Sequence, residues 1–336
     1  MAPVFELPRE LEARRPPESR GLTRDGVSLL VSSIRGRSHT VAAFTDLPKF
    51  LRAGDLLVVN DSATIPAAFE ARRPSGTWIT LHLATRISER LWIVEPRHTP
   101  LIEVGERLTA PGGASVKLLG PVHRGHPRLW YALLDLPQTA TTFLAKYARP
   151  ISYDYADGGY PIDAYQTIFA REPGSVEMPS AARPFTLRVI DSLYRHGVNL
   201  AGITLHCGVA SPEAHEPPLD ERFAVPDWTA RAVNAARSND ARIIAAGTTV
   251  VRALESAADS EGRVHAAQGW TSHIVDGTHP VRAIDGLLTG FHEPRASHLL
   301  MLEALAGAGF IAQAYDKALQ SGLLWHEFGD VHLILP

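Results

Sequence analysis

Short apolar runs alternate with turn residues through the first third of the chain. Such runs are typical of strands in a sheet or a barrel, whereas helices show longer patterns with a period near 3.6 residues. The runs lie at residues 27–32, 54–60, 78–83, 91–94, 115–119 and 129–134. The stretch from residue 66 to residue 136 is the most strand-rich, and we expect it to form a compact β module.

The pattern changes after Pro150, where helical and strand-like segments alternate. Helical periodicity is found at residues 187–196, 229–237, 250–258 and 297–306, and short apolar runs lie at residues 200–206, 241–246 and 331–335. Alternation of this kind favours a layered α/β fold, in which helices cover a sheet. The chain therefore combines a β module with an α/β part.

The composition is that of an ordinary globular protein. The 336 residues are 45% hydrophobic and 21% charged, and the formal net charge is −3. No apolar run approaches the ~18 residues of a membrane helix, and the N-terminus lacks the pattern of a signal peptide. Cys207 is the only cysteine, which excludes an internal disulfide and a thiolate-rich metal site. We expect a cytoplasmic protein with no membrane partner.

The first candidate site is a glycine turn between an apolar strand and a helix. Gly247 can adopt backbone angles that other residues avoid, and Thr248 or Thr249 can cap the helix that follows. The free N–H groups of such a helix start suit an anionic or polar ligand. Arg252 and Glu255 are three residues apart, so both can lie on one face of this helix. A salt-bridged turn with no ligand is the alternative.

Polar side chains follow three further apolar runs. Asn60 and Asp61 come at the end of one run, His206 at the end of a second, and Phe291 and His292 after a third. Ligands of open α/β sheets bind at the carboxyl ends of strands, where these residues would lie. His206 and His292 have the right pKa range for a general base, although a histidine held in the core is the alternative.

A proline-rich loop at residues 173–186 supplies the remaining candidates. The small residues around Ser180 would let a ligand ring approach the backbone, and Arg183 and Phe185 follow within the same loop. We predict that Arg183 points into the site. The scattered histidines lack metal-ligand spacing, so we predict no metal. Cys207 adjoins His206 but would point to the opposite face, which excludes a Cys–His pair.

These blocks, in this order, resemble the S-adenosylmethionine:tRNA ribosyltransferase-isomerase family of the queuosine pathway. The matching segments are residues 46–48, 54–61, 165–167, 173–176, 204–206, 247–256, 291–292, 301–302 and 328–330. The resemblance spans nearly the whole chain. It implies an α/β main domain with a mixed sheet at residues 1–65 and 150–336, interrupted by an inserted antiparallel β-barrel at residues 66–149.

The resemblance also implies a reaction. S-adenosylmethionine is the ribosyl donor and a co-substrate: a base removes the C5′ proton, adenine leaves, and the aminomethyl group of a deazaguanine in tRNA attacks the sugar. Methionine leaves as an epoxide closes, giving epoxyqueuosine. His206, His292 or Asp61 would be the base, and Arg252 an anchor for a carboxylate or phosphate. The expected binding residues are Asn60, Ser180, Arg183, Phe185, Gly247, Thr248, Thr249, Arg252, Glu255 and Phe291.

Several polar positions of the family pattern have changed in this chain. Pro184 stands in place of a histidine, Ala63 in place of an arginine, and Glu327 in place of a serine. These changes leave two alternatives to the family reaction. One is a paralogue that uses S-adenosylmethionine on another acceptor, such as a small molecule, since fewer arginines mean fewer phosphate contacts with tRNA. The other is a non-catalytic binding protein that keeps the fold.

Overall fold

A nine-stranded mixed sheet forms the body of the molecule in the computed structural model, which describes residues 5–99, 101–123, 126–209, 219–294 and 296–336. In spatial order its strands are β15 (Ala267–Thr271), β13 (Glu221–Val225), β12 (Asn199–Leu205), β3 (Leu56–Asn60), β14 (Ile243–Ala246), β16 (Gly286–Gly290), β17 (Val331–Leu335), β1 (Ser28–Ser33) and β2 (Ser38–Ala43). The predicted run at residues 331–335 is therefore a strand of this sheet.

The centre of the sheet is parallel. Strand β3 lies between β12 and β14, and β14 pairs in turn with β16, all in the same direction. Val58 of β3 lies opposite both Ala201 and Ala245. Every residue of β3 and β14 is buried, as expected for parallel strands covered on both faces. The carboxyl ends of these four strands consequently share one edge.

A closed barrel follows β3 in the chain. In the described residues its strands, in order around the barrel, are β10 (His126–Asp135), β7 (Leu91–Arg97), β6 (Trp78–Arg86), β5 (Ala68–Arg72), β8 (Arg107–Thr109) and β9 (Ser115–His123). All of its pairs are antiparallel, and Phe69 and Trp92 lie in its core. The predicted fold class, an α/β main domain with a mixed sheet and an inserted antiparallel barrel, is confirmed.

Helices cover the sheet, and one of them packs against the core of the barrel. They are α1 (Leu47–Phe50), α2 (Ala140–Tyr147), α3 (Leu187–Arg195), α4 (Asp227–Ser238), α5 (Thr248–Ser256), α6 (His298–Ala306) and α7 (Ala308–Gln320). Two short strands, β4 (Ser62–Thr64) and β11 (Glu172–Ser175), pair in parallel beside the sheet. Among the described residues no helix has the length and apolar character needed to cross a membrane.

Helix α5 begins two residues earlier than the apolar pattern predicts. Gly247 occupies the cap position with φ 107° and ψ 153°, and no side chain caps the helix. The prediction that Thr248 or Thr249 caps α5 is wrong, because both residues already belong to its first turn. Glycine tolerates this backbone conformation, which strains any residue with a Cβ atom.

Candidate active site

A cavity of about 490 Å³ lies at the carboxyl ends of β12, β14 and β16. Cys207, Gly247 and Phe291 line it from the sheet side, and Glu95 and Arg97 line it from the barrel. Its volume is in the range of small-molecule sites, and its place is where open parallel sheets bind ligands. The cavity is thus built from both parts of the molecule.

The glycine turn forms part of the cavity wall. Gly247, Thr248 and Thr249 all line the cavity, and the Gly247 N–H donates to the Leu288 carbonyl over 2.7 Å. A Cβ atom on Gly247 would lie 3.4 Å from the Cβ atom of Ala181. The turn and the small-residue loop around Ala181 are therefore in close contact, and the first N–H groups of α5 lie beside the cavity.

Asn60 supports this turn without reaching the cavity. Its side chain is fully buried, and its Nδ2 donates to the Leu205 carbonyl over 2.8 Å and to Thr249 Oγ1 over 3.2 Å. Its Oδ1 accepts from the N–H groups of Ser62 and Leu205. Asn60 thereby fastens the ends of β3 and β12 to the start of α5, which is a positioning function.

Arg252 lines the cavity, and each of its three guanidinium nitrogens donates to a protein group. Its guanidinium forms an ion pair with Glu221, and it donates to the carbonyls of Thr271 and His273 over 3.2 Å and 3.0 Å. The side chains of Arg252 and Glu221 are only 10% and 12% exposed. Burial raises the pKa of Glu221, while the charge of Arg252 opposes that rise. Arg252 therefore shapes the wall, and most of its donors are held by protein groups.

Glu255 lies in the same helix as Arg252, and the two side chains contact different groups. Its Oε1 accepts from the backbone N–H groups of Arg282 and Ala283, both over 2.8 Å. Glu255 is buried and does not line the cavity, so its contacts hold the loop before β16.

His292 lies at the cavity surface, after the end of β16. Its Nε2 is 2.9 Å from Thr289 Oγ1, and its ring stacks on His298 with centroids 4.6 Å apart. Burial lowers the pKa of His292 well below its usual value, so the ring is neutral at neutral pH. Phe291 also lines the cavity and stacks on the buried His332.

His206 and Asp61 lie outside the cavity lining. Nδ1 of His206 is 2.8 Å from Ser62 Oγ, and Asp61 Oδ1 accepts from Thr204 Oγ1 over 2.6 Å. Burial lowers the pKa of His206 and raises that of Asp61. Of the three predicted bases, only His292 is a cavity residue. Cys207 lines the cavity, unlike His206, and burial raises the pKa of its thiol.

Some residues of the proline-rich loop line the cavity, and others are buried in the core. Ser180 and Ala181 line the cavity. Arg183 is buried but points elsewhere: its Nε donates to the Ala164 carbonyl and its Nη2 pairs with Glu18, each over 2.9 Å. The expectation that Arg183 points into the site is therefore wrong. Phe185 packs edge-on against Phe44 in the core and does not line the cavity.

The cavity is also lined by residues that sequence reasoning missed. It is lined by Glu95 from the barrel and by Tyr153, Tyr155, His326 and Glu327. The aromatic stretch after Pro150 was visible in the sequence, but nothing local to it indicated contact with Glu327, 172 residues away. No group of three or more His, Cys, Asp or Glu side chains in the described part of the chain is arranged to hold a metal ion.

The fold and cavity define an α/β protein with a small-molecule pocket at the edge of its parallel strands. The model of the queuosine biosynthesis protein family matches residues 4–334, and the chain belongs to that family. The predicted resemblance is confirmed.

Relatives of known name match over nearly the full chain. The S-adenosylmethionine:tRNA ribosyltransferase-isomerase of Moorella thermoacetica is 35% identical, with 98% of each chain covered. The enzyme of the same name from Thermus thermophilus is 33% identical, also over 98% of each chain. The crystal structure of S-adenosylmethionine tRNA ribosyltransferase from Thermotoga maritima is 29% identical, covers 99% of both chains and gives a TM-score of 0.57. The chain is an enzyme, as its sequence predicts.

Proposed function

We propose that the protein transfers the ribosyl part of S-adenosylmethionine to the aminomethyl-deazaguanine of tRNA, forming epoxyqueuosine with release of adenine and methionine. The observation that carries the proposal is the cavity, which joins the Gly247 turn, Phe291 and His292 at the carboxyl ends of parallel strands. The names of the relatives, which include both S-adenosylmethionine and tRNA, support the donor and the acceptor.

We assign the C5′ base to His292. A base must be unprotonated at working pH and must face the substrate, and His292 meets both conditions because burial lowers its pKa at the cavity surface. His206 and Asp61 are not cavity residues. We propose that their hydrogen bonds to Ser62 and Thr204 stabilise the ends of β3 and β12.

The anchor for the methionine carboxylate is the start of α5. Helix N-termini present free N–H groups and a partial positive charge, and those of α5 lie beside the cavity at Thr248 and Thr249. This replaces the sequence-based assignment to Arg252, whose donors are held by Glu221 and by backbone carbonyls. Arg252 instead fixes the wall formed by the segment after β15.

The test is to incubate the protein with S-adenosylmethionine, with and without tRNA that carries 7-aminomethyl-7-deazaguanine, and to follow adenine and methionine. We expect both products only when the modified tRNA is present. Release without tRNA would replace the tRNA acceptor with a small molecule. No release, with retained binding of S-adenosylmethionine, would identify a binding protein that keeps only the fold.

A further inference from the structure

Three aromatic rings stack along the part of the cavity wall that adjoins the barrel. The rings of Tyr155 and His326 are 3.8 Å apart and nearly parallel, at 12°. Tyr153 continues the stack at 5.9 Å from Tyr155. All three residues line the cavity, and Nδ1 of His326 lies 3.8 Å from Oε1 of Glu293, the residue after His292. This part of the cavity wall is therefore aromatic, and an aromatic wall suits a planar ligand.

His326, which lines the cavity, has an unused hydrogen-bonding atom. Its side chain is 6% exposed, and its buried Nε2 has no hydrogen-bond partner among the described residues. Its backbone has φ 72°, a left-handed conformation that is uncommon outside glycine and that Asn, Asp and His adopt more often than other residues. Unpaired buried polar atoms and strained backbone are both unfavourable, and both concentrate where a ligand binds. Burial lowers the pKa of His326 to about 4, so the ring is neutral.

Glu327 places a carboxylate next to this imidazole. Tyr155 Oη donates to its Oε2 over 2.6 Å, which is the one side-chain hydrogen bond of Glu327 within the described ranges. Burial raises the pKa of Glu327, and N–H donors from a ligand would favour its ionised form. Arg97 and Arg128 also line the cavity, and both pair with Glu95.

A carboxylate accepts two parallel N–H donors, and a neutral imidazole adds one donor or acceptor. The edge of a guanine-type base offers two adjacent N–H donors beside a carbonyl, which complements this pair. We propose that Glu327 and His326 are specificity-determining residues that hold the guanine-type edge of the acceptor base, with Glu327 accepting from the ring N–H and the exocyclic amine. The identity of that base rests on the proposed function. Glu327 is also a position at which this chain differs from the family pattern.

The experiment is calorimetric titration of the full chain with the free base 7-aminomethyl-7-deazaguanine and, separately, with S-adenosylmethionine. We expect Glu327→Gln, which keeps the Tyr155 contact but has one acceptor oxygen, to weaken binding of the base about 10- to 100-fold. His326→Asn, which suits the left-handed backbone, should weaken it by a similar factor. Neither variant should change the affinity for S-adenosylmethionine by more than about twofold, which also verifies folding.

Two controls sharpen the result. Glu70→Gln removes a half-exposed carboxylate that pairs with Arg149 on the barrel surface, and it should leave binding of the base unchanged. A 7-deazahypoxanthine analogue, which lacks the exocyclic amine, should bind the natural chain about tenfold or more weakly. The proposal would be overturned if the two bases bound equally well, or if Glu327→Gln bound the base as tightly as the natural chain does. It would also be overturned if the natural chain did not bind the base. Binding of the base without binding of S-adenosylmethionine would remove the proposed function and retain this subsite.

Discussion

Burial keeps the histidines beside the cavity neutral, and this is the main chemical property of the site at the scale of single residues. The rings of His292 and His298 stack at 4.6 Å, and burial lowers the pKa of His298 to about 4. Two protonated rings at this distance would repel each other, so proximity and burial act in the same direction. The cavity therefore presents imidazole groups that can accept a proton at neutral pH.

Replacement of His292 tests the assignment of the base. We expect His292→Asn to lower the rate of adenine release about 100-fold or more, the usual contribution of a positioned general base. The affinity for S-adenosylmethionine should remain within a few fold, measured by calorimetry. His265→Asn, which changes an exposed histidine paired with Asp259, is the matched control and should be fully active.

The lowered pKa of His292 also predicts a pH profile. A base loses activity only when the pH falls through its pKa, and burial places that pKa well below 6.5. The rate of adenine release should therefore stay constant between about pH 8 and about pH 6. A loss of half the activity near pH 6.5, the ordinary pKa of histidine, would show that an unperturbed histidine is the base.

At the scale of elements, the turn from β14 into α5 depends on the backbone of Gly247. Its φ of 107° lies where residues with a Cβ atom are strained, and its close neighbour is Ala181. Asn60 stabilises the same turn, because its side-chain amide donates a hydrogen bond to Thr249. The first turn of α5 is thus placed by a glycine, a small-residue loop and a buried amide together.

Gly247→Ala should therefore destabilise the protein by about 1–3 kcal/mol, the usual cost of a strained backbone position. It should also weaken the binding of S-adenosylmethionine, since the first N–H groups of α5 would move. Gly309→Ala is the matched control. Gly309 lies in α7, its φ is not positive, and an added Cβ atom would meet open space. Alanine at this position should therefore leave the stability of the protein unchanged or raise it slightly. Equal unfolding midpoints for the two variants in urea would contradict this account.

Local patterns explain which elements could be predicted from the sequence. An apolar run followed by polar residues marks a strand end, so the positions of Gly247 and His292 followed from their neighbours. Arg183 and Glu255 looked equally suited to a site, but their directions are set by partners far along the chain. Glu18, for example, is 165 residues from Arg183. Only the fold decides whether such a side chain faces a ligand or another segment.

At the scale of the whole molecule, the barrel contributes one wall of the cavity through Glu95. This carboxylate is 1% exposed and contacts Arg128, Arg97 and His82, over 2.8 Å, 3.3 Å and 3.3 Å. Arg97 also lies over the ring of Tyr153, at 5.7 Å from its centroid. The Glu95 cluster therefore connects the barrel to the segment around Tyr153, which also lines the cavity. No local pattern in the barrel sequence indicated this, because the contact arises only when the barrel packs against that segment.

Glu95→Gln should lower the free energy of unfolding by about 2 kcal/mol, because Arg97 and Arg128 lose their buried anionic partner. Glu89→Gln, which changes an exposed carboxylate paired with Arg86 on the same barrel, should change it by less than about 0.5 kcal/mol. The arginines and the histidine hold the pKa of Glu95 at about 2, below its ordinary value of 4.5, against the opposing effect of burial. The contribution of Glu95 is therefore complete above pH 4.5 and is lost as the pH falls towards 2. The assignment would be contradicted if the free energy of unfolding of the natural chain and that of the Glu95→Gln variant changed with acid pH in the same way.

The most direct test of the proposed reaction is the fate of the modified nucleoside itself. tRNA carrying 7-aminomethyl-7-deazaguanine is incubated with the protein and S-adenosylmethionine, then digested to nucleosides and analysed by mass spectrometry. We predict that the aminomethyl-deazaguanosine is converted to epoxyqueuosine, in an amount equal to the adenine released. Unchanged nucleoside in a reaction that consumes S-adenosylmethionine would contradict the account, because the acceptor would then be a different molecule.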